Sequence, residues 1–248
     1  MFPNTRGIVA ACAATMVAVQ SLSAATVDLT AGEGSSGTIN GAIFEFRVEQ
    51  PAGTGVINSF VRLQRNGIEQ GYNTSGRPVP FDEKTDPNFT RDLTFGEVPI
   101  IVRDGVQYLE FLLDINEPNS ASTSLITMTE LQIYTSPIGS QTTTTVSSLG
   151  VLRYDLDAGG DSQVILDHRA AEGSGKSDMA VLIPLEFFAG VAASDFLYLY
   201  SQFHKSGAGF EEWAVRSAEA QPIPAPAAAP MGLALLALAG WLRRSRIG

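Results

Sequence analysis

Carboxylates at short spacing are the first residues in this chain that could do chemistry. Residues 155–161 read Asp155-Leu-Asp157-Ala-Gly159-Gly160-Asp161. Alternate acids of this kind open calcium loops, because they bring several hard oxygens to one cation. The match to a full loop is incomplete: the fifth position is Gly159, and Leu166 stands where a bidentate glutamate belongs. A polar turn between strands explains the same residues. Asp114, Asn116, Glu117 and Asn119 form a second oxygen-rich turn. If the chain takes one calcium, Asp155, Asp157 and Asp161 or this second turn should hold it; no other cofactor is indicated.

Gly173-Ser174-Gly175-Lys176-Ser177 has the end of a phosphate-binding loop. The required earlier glycine is Ala170, and Met179 to Ile183 reads as a strand where a helix should open, so a Gly/Ser loop with a solvated lysine fits better. Histidine occurs only as His168 and His204, without the spacing of a zinc site or a Gly-x-Ser-x-Gly elbow nearby. Glu211 and Glu212 could suggest a pair of glycosidase acids. Neighbours on a strand face opposite ways, so the expectation is one exposed and one half-buried acid beside Trp213. No catalytic residue is expected.

Aromatic residues gather at Tyr198, Tyr200, Phe203, Phe210 and Trp213. Tyr198, Tyr200 and Trp213 are the candidate glycan-binding rings, since exposed aromatic faces suit sugars. On a strand, Tyr198 and Tyr200 share a face with Gln202, while Leu197, Leu199 and Ser201 take the other. One of those faces must be core, so core packing competes with binding for the same rings.

These groups must be positioned by short β-strands. Phe44, Phe46 and Val48 alternate with charged residues; Val56–Leu63, Leu93–Phe95, Val98–Val102, Val106–Ile115 and Leu125–Tyr134 follow. Val106–Ile115 is apolar nearly throughout and should be buried on both faces. Val151–Leu156, Gln163–Leu166, Met179–Leu185 and Phe196–Phe203 complete the set. Asn66-Gly67 and Asp104-Gly105 predict tight hairpin turns. Residues 31–37 read as a flexible lead-in and 72–88 as a long loop. No stretch keeps a helical period, and Leu185–Ala193 is at most one turn. The expected class is all-β, an antiparallel β-sandwich of jelly-roll type over residues 26–219.

Both ends differ from this body. Arg6, the apolar Ile8–Val19 and Ser23-Ala24-Ala25 have the order of a secretory signal helix, with cleavage expected after Ala25 and Thr26 as the new first residue. Cys12, the single cysteine, lies inside that segment. Val9-Ala10-Ala11-Cys12 also fits a lipidation box, but cleavage at Ala25 would leave a domain with neither thiol nor disulfide. The net charge is −10, yet four of the 16 bases (Arg6, Arg243, Arg244 and Arg246) sit in the ends. The body keeps 12 bases against 26 acids, a net −14, which disfavours nucleic acid and anionic lipid.

Residues 220–248 carry Pro222, Pro224 and Pro226, an apolar run from Met231 to Leu242, and then Arg243, Arg244 and Arg246. Twelve helical residues rise about 18 Å against a hydrocarbon core of ~30 Å, which makes a short transmembrane helix. The arginines would hold its far end on the cytoplasmic side. An ordinary C-terminal anchor is the plainer alternative.

This order resembles the PEP-CTERM sorting signal of Gram-negative bacteria, with Ala225 where the acidic residue of the usual Val-Pro-Glu-Pro would stand. The body agrees: Asp92–Gly96, Glu110–Asn116, Leu131–Ser136, Leu199–Phe203 and Gly209–Trp213 resemble recurring blocks of one group of uncharacterised PEP-CTERM proteins. The resemblance implies export, transient insertion of the C-terminal helix in the inner membrane, and processing by an exosortase after signal peptidase. It implies a place in the cell envelope, at the surface or in the extracellular matrix, with exopolysaccharide or biofilm as surroundings. A non-enzymatic surface protein is the expectation; the alternatives are a carbohydrate-binding module and, more remotely, an extracellular hydrolase.

Overall fold

The computed structural model describes residues 23–48, 57–120, 123–170, 177–207 and 209–216. Fourteen strands are formed among them: β1 (Thr26–Asp28), β2 (Ser36–Ile39), β3 (Ala42–Phe46), β4 (Ile57–Leu63), β5 (Gly67–Tyr72), β6 (Leu93–Thr94) and β7 (Ile100–Arg103). They continue as β8 (Val106–Ile115), β9 (Leu125–Ser136), β10 (Val151–Asp155), β11 (Gln163–Asp167), β12 (Met179–Pro184), β13 (Phe196–Ser206) and β14 (Glu211–Arg216). Helix among the described residues is confined to short 3-10 turns, one of them at Leu185–Phe188 as the sequence suggests. The protein is all-β.

Two seven-stranded sheets result. The first runs β1-β11-β9-β13-β5, with β10 also on β9 and β6 on β13; the second runs β2-β3-β12-β8-β14-β4, with β7 on β8. Every pairing is antiparallel except β1 with β11. A single apolar cluster draws on both sheets, from Ile126, Met128, Leu131, Ile133, Leu199 and Phe203 of the first to Phe44, Phe60, Phe111, Leu113, Val181 and Trp213 of the second. This shared core is where the favourable burial free energy of the fold is concentrated.

β8 is buried on both faces at its centre, as its apolar run requires. Leu109, Phe111 and Leu113 enter the main core, while Leu112 joins Ala180 and Ala214 in a small cluster on the opposite face. Glu110 also lies on that opposite face. Its carboxylate pairs with Arg47 and, at 2.7 Å, with Arg216, and Glu45 takes up Arg47 and Arg103. Arginines from three different strands or their ends thereby shield the acids of the sheet surface.

The two turn expectations part ways. Asp104 (φ 53°) and Gly105 (φ 81°) both adopt left-handed backbone and join β7 to β8, with Arg103 opposite Val106. Asn66-Gly67 makes no hairpin. There the chain leaves the second sheet at Leu63 and enters the first at Gly67, so β4 pairs with β14 and β5 with β13. Only Gly67 of that pair takes positive φ (91°), and the corner is tied instead by the Arg65 N–H donating to the Glu69 carboxylate at 2.9 Å. The local turn preference is overridden by the pairing partners available to each strand.

The lead-in is more ordered than expected, since β2 begins at Ser36 and pairs with β3. Residues 73–92 do form a long connection, held by side-chain hydrogen bonds to its backbone. Arg77 donates to the carbonyls of Thr74, Gly76, Thr85 and Thr90. Glu83 accepts the N–H groups of Tyr72 and Phe81, and the Asn73 side chain bonds Leu197 and Leu199 of β13. The signal segment before residue 23, the Gly173–Lys176 run and the tail with Pro224, Pro226, Arg243, Arg244 and Arg246 lie outside the described residues. Among the described residues no helix is long and apolar enough to cross a membrane.

Candidate functional site: a buried glutamate cluster

Three glutamates point into one end of the interior from three different segments. Glu69 lies on β5 opposite Phe203, and Glu211 opens β14 opposite Leu63 and Ile115, all three of those partners being core residues. Glu117 follows the end of β8. Glu69 and Glu211 are fully buried and Glu117 is 3% exposed. Strand parity explains the first two: Glu211 shares its phase with Trp213, and Glu69 with Gly71, whose absent side chain makes room for Leu63 and Glu83.

The hydrogen bonds available to these acids are few. Arg65 N–H donates to Glu69 Oε2, and Gly207 N–H donates to both Glu117 oxygens at 2.7–2.8 Å. Apart from the contact of the Glu211 carboxyl with Glu69 and Glu117, Glu69 Oε1 and both oxygens of Glu211 have no hydrogen-bond partner. None of the three acids forms an ion pair among the described residues. Burial, then the adjacent carboxyls of Glu69 and Glu117, push the Glu211 carboxyl far above the usual carboxylate range. Glu69 is also raised, by burial first; its contact with Glu211 and the Arg65 N–H oppose that rise, and the charges of Glu117 and Asp82 add to it. Burial and the two neighbouring carboxyls thus favour the neutral form of Glu211. The loop behind is glycine by necessity: a Cβ on Gly207 would strike Glu117, and one on Gly209 would strike the Asn116 carbonyl.

A further buried acid, Asp178, sits against the end of β8. Asp178 accepts Ile115 N–H at 2.7 Å through Oδ2, leaves Oδ1 without a donor, and is pushed up to about 9 by burial, with Asp114 adding to the effect.

The two acidic turns of the sequence fare differently. Asp155, Asp157 and Asp161 lie close enough for all three charges to act on a fourth acid, Glu130 of β9. Burial and the charges of these three raise Glu130 to about 7. Two of them are occupied within the turn itself: Asp155 accepts Asp157 N–H and Asp157 accepts Ser162 N–H. The second turn disperses. Glu117 is buried, the charge of half-buried Asp114 acts on Asp178, and Asn119 is exposed. No three His, Cys, Asp or Glu side chains among the described residues stand in a ready-made metal-ligand arrangement.

The glycan-platform rings are not a platform. Tyr198 and Trp213 are fully buried and Tyr200 is 7% exposed. They also belong to different clusters: Trp213 sits in the main core, whereas Tyr198 and Tyr200 pack with Tyr72, Tyr134 and Leu149 on the far face of the first sheet. Tyr198 O–H donates to the Ile138 carbonyl and Tyr200 O–H to Gln70. Core packing takes all three rings. The exposure expected of the glutamate pair is likewise corrected, for Glu211 and Glu212 are both buried. They do face opposite ways, but each face is covered. Glu212 binds Ser59 and Arg62, and Arg62 lies against the Phe89 and Phe210 rings.

His168 is held by Nδ1 at 2.8 Å from the Ile115 carbonyl, and His204 lies 3.4 Å from Gln202. Ala25 donates to Ser162 and accepts from Gln163, continuing β1 by one residue. Glu69 was invisible to sequence reasoning; the usable signal was that Glu211 keeps step with Trp213 on a strand whose other neighbours are core. Compared with known proteins, the chain matches no family model, no curated protein and no solved structure.

Proposed function

We propose that this chain is a non-enzymatic protein exported to the cell surface or extracellular matrix, sorted and processed by an exosortase through residues 220–248, and lodged there with exopolysaccharide or biofilm. In this reading its two sheets pack as an antiparallel β-sandwich of jelly-roll type. The observation that carries it is the pairing of a secretory signal at one end with prolines, a short apolar run and an arginine cluster at the other.

Two structural facts support the reading. β1 spans Thr26–Asp28, directly after the expected cleavage point, and Val27 is already in the core, while the Ala25 hydrogen bonds to Ser162 and Gln163 would be given up on cleavage. The last described strand ends at Arg216, ahead of the proline segment. A body that folds between the two signals suits a cargo whose ends are removed. The burial of Tyr198, Tyr200 and Trp213 leaves the aromatic-platform alternative without its rings.

Removing residues 222–248 tests the sorting role. The truncated protein is expected in the culture medium, unprocessed at its C-terminus, when cell fractions are probed with an antibody to the domain. An unchanged location would count against the exosortase assignment.

A further inference from the structure

We propose that the cleft between β10, the β2–β3 turn and the Leu185–Phe188 turn binds a neutral saccharide ring, with Arg153 and Asp155 taking its hydroxyls and Phe187 its face. The inference rests on the exopolysaccharide part of the function proposed above and gives that contact to particular residues of this chain.

The cleft has a volume of about 470 Å³, within the range of small-molecule sites, roughly 300–1,000 Å³. Its walls come from different sheets. Arg153, Tyr154 and Asp155 of β10 belong to the first, and Asn40 and Gly41, between β2 and β3, to the second. Asn40 turns the chain in left-handed backbone (φ 48°) and donates through Nδ2 to the Asp155 and Leu156 carbonyls at 3.0 and 2.8 Å. Tyr154 O–H donates to the Ile39 carbonyl at 3.0 Å. These hydrogen bonds fix one wall to the other, so the cleft is shaped before a ligand arrives.

Phe187 supplies the apolar surface. Its ring is half-buried beside Gly41, where a Cβ would come within 3.1 Å of the ring Cζ. An aromatic face left open in a cleft suits the C–H side of a sugar ring.

Arg153 is the cation that the fold leaves without an acid. The pairing of β10 with β9 slips between Leu152 and Tyr154, so Arg153 is the extra residue of a bulge, a device that re-aims a side chain. Its Nε donates to Thr135 Oγ1 at 2.7 Å, which anchors the guanidinium, and its terminal N–H groups have no partner among the described residues. Every other described arginine pairs with a carboxylate or, as Arg77 does, with backbone carbonyls. Two residues on, Asp155 accepts Asp157 N–H through Oδ1, and its Oδ2 has no partner among the described residues. A donor-only guanidinium and an acceptor-only carboxylate beside one ring complement sugar hydroxyls, each of which both donates and accepts.

The surroundings favour a neutral sugar. The charges of Asp155 and Asp157 act on Tyr154 in the cleft wall, and with Asp161 they act on Glu130. Such a field repels carboxylated or sulfated sugars, so Arg153 serves hydroxyls rather than an anion.

The test uses the protein purified from its own cells. It is screened on an array of neutral glucan, galactan and mannan oligosaccharides beside uronate oligosaccharides, and the strongest ligand is titrated by calorimetry. A neutral oligosaccharide is expected to bind. Phe187→Ala, Asp155→Asn and Arg153→Lys, which keeps the charge but loses the planar fork, should each weaken it by roughly tenfold. Phe187→Leu, which keeps packing but has no ring, serves if Phe187→Ala does not fold. Arg169→Ala removes an exposed arginine paired with Asp167 outside the cleft and should bind as the parent does.

The proposal is overturned if no saccharide binds, if uronates bind in preference to neutral sugars, or if affinity survives Arg153→Lys and Phe187→Leu. An equal loss in Arg169→Ala would overturn it as well. Binding is read on purified protein, so a failure here leaves the sorting assignment standing, and a failure of sorting leaves the binding result unchanged.

Discussion

Replacing Trp213 with alanine is expected to cost about 3–5 kcal/mol of unfolding free energy, the range for emptying a large aromatic site in a packed core. In a domain of this size that corresponds to a fall in Tm on the order of 10 °C. Trp213 is fully buried and belongs to the cluster that draws on both sheets. Its indole N–H donates to Ser201 Oγ at 3.0 Å, and Ser201 is itself fully buried on β13 of the other sheet. The substitution therefore opens a cavity and also strips a cross-sheet hydrogen bond from an enclosed hydroxyl. Trp213→Phe should recover most of the packing but not the hydrogen bond, giving an intermediate loss. Denaturant melts of the three proteins check this. A Trp213→Ala variant as stable as the parent would mean that the ring is peripheral, and would reopen the surface-platform reading.

The second large effect is a dependence of stability on pH set by Asp178. Its carboxyl is raised to about 9 in the folded protein, mainly by burial, from an ordinary value of 3.8. Between those values the folded state keeps a proton that the unfolded chain has lost, so stability falls as pH rises. The contribution is fully present below the unfolded value and is lost as pH climbs toward 9. For one proton the slope approaches about 1.4 kcal/mol per pH unit. Asp178→Asn keeps an oxygen for the Ile115 N–H and removes the titration. Denaturant melts at several values between pH 5 and 8 should show the parent losing stability relative to Asp178→Asn as pH increases. Parallel curves for the two proteins would contradict the assignment.

Most of the strands could be read from apolar residues that recur on one face. β8, β9, β12 and β13 carry enough Leu, Ile, Val, Phe and Tyr to identify themselves, and each lies close to its expected span. Asp104-Gly105 was readable because both residues tolerate left-handed backbone. The corner at Asn66 was not, since the same dipeptide chemistry serves a hairpin or a crossing between sheets, and distant partners decide which. β14 escaped the list of expected strands because it opens with two acids, which local composition treats as surface.

The same bias hid the candidate site. An isolated glutamate in Gly67–Tyr72 looks like solvent-facing polarity, and only the pairing of Glu69 with Phe203 reveals that it faces inward. The acids that spacing did single out, Asp155, Asp157 and Asp161, form a polar turn with internal hydrogen bonds, and their charges act on Glu130 from a strand that spacing alone could not connect to them. Tyr198 and Tyr200 share a face, as a two-residue period requires, but that face is packed with Tyr72, Tyr134 and Leu149. Periodicity assigns sides; it does not say which side is wet.

The central claim is that both ends are addresses removed from a β-rich cargo. Mass spectrometry of the protein isolated from its own cells reads both ends together. The account predicts a first residue at Thr26 and a C-terminus that has lost Arg243, Arg244 and Arg246. An intact chain in the inner membrane, with those arginines still attached, would contradict it.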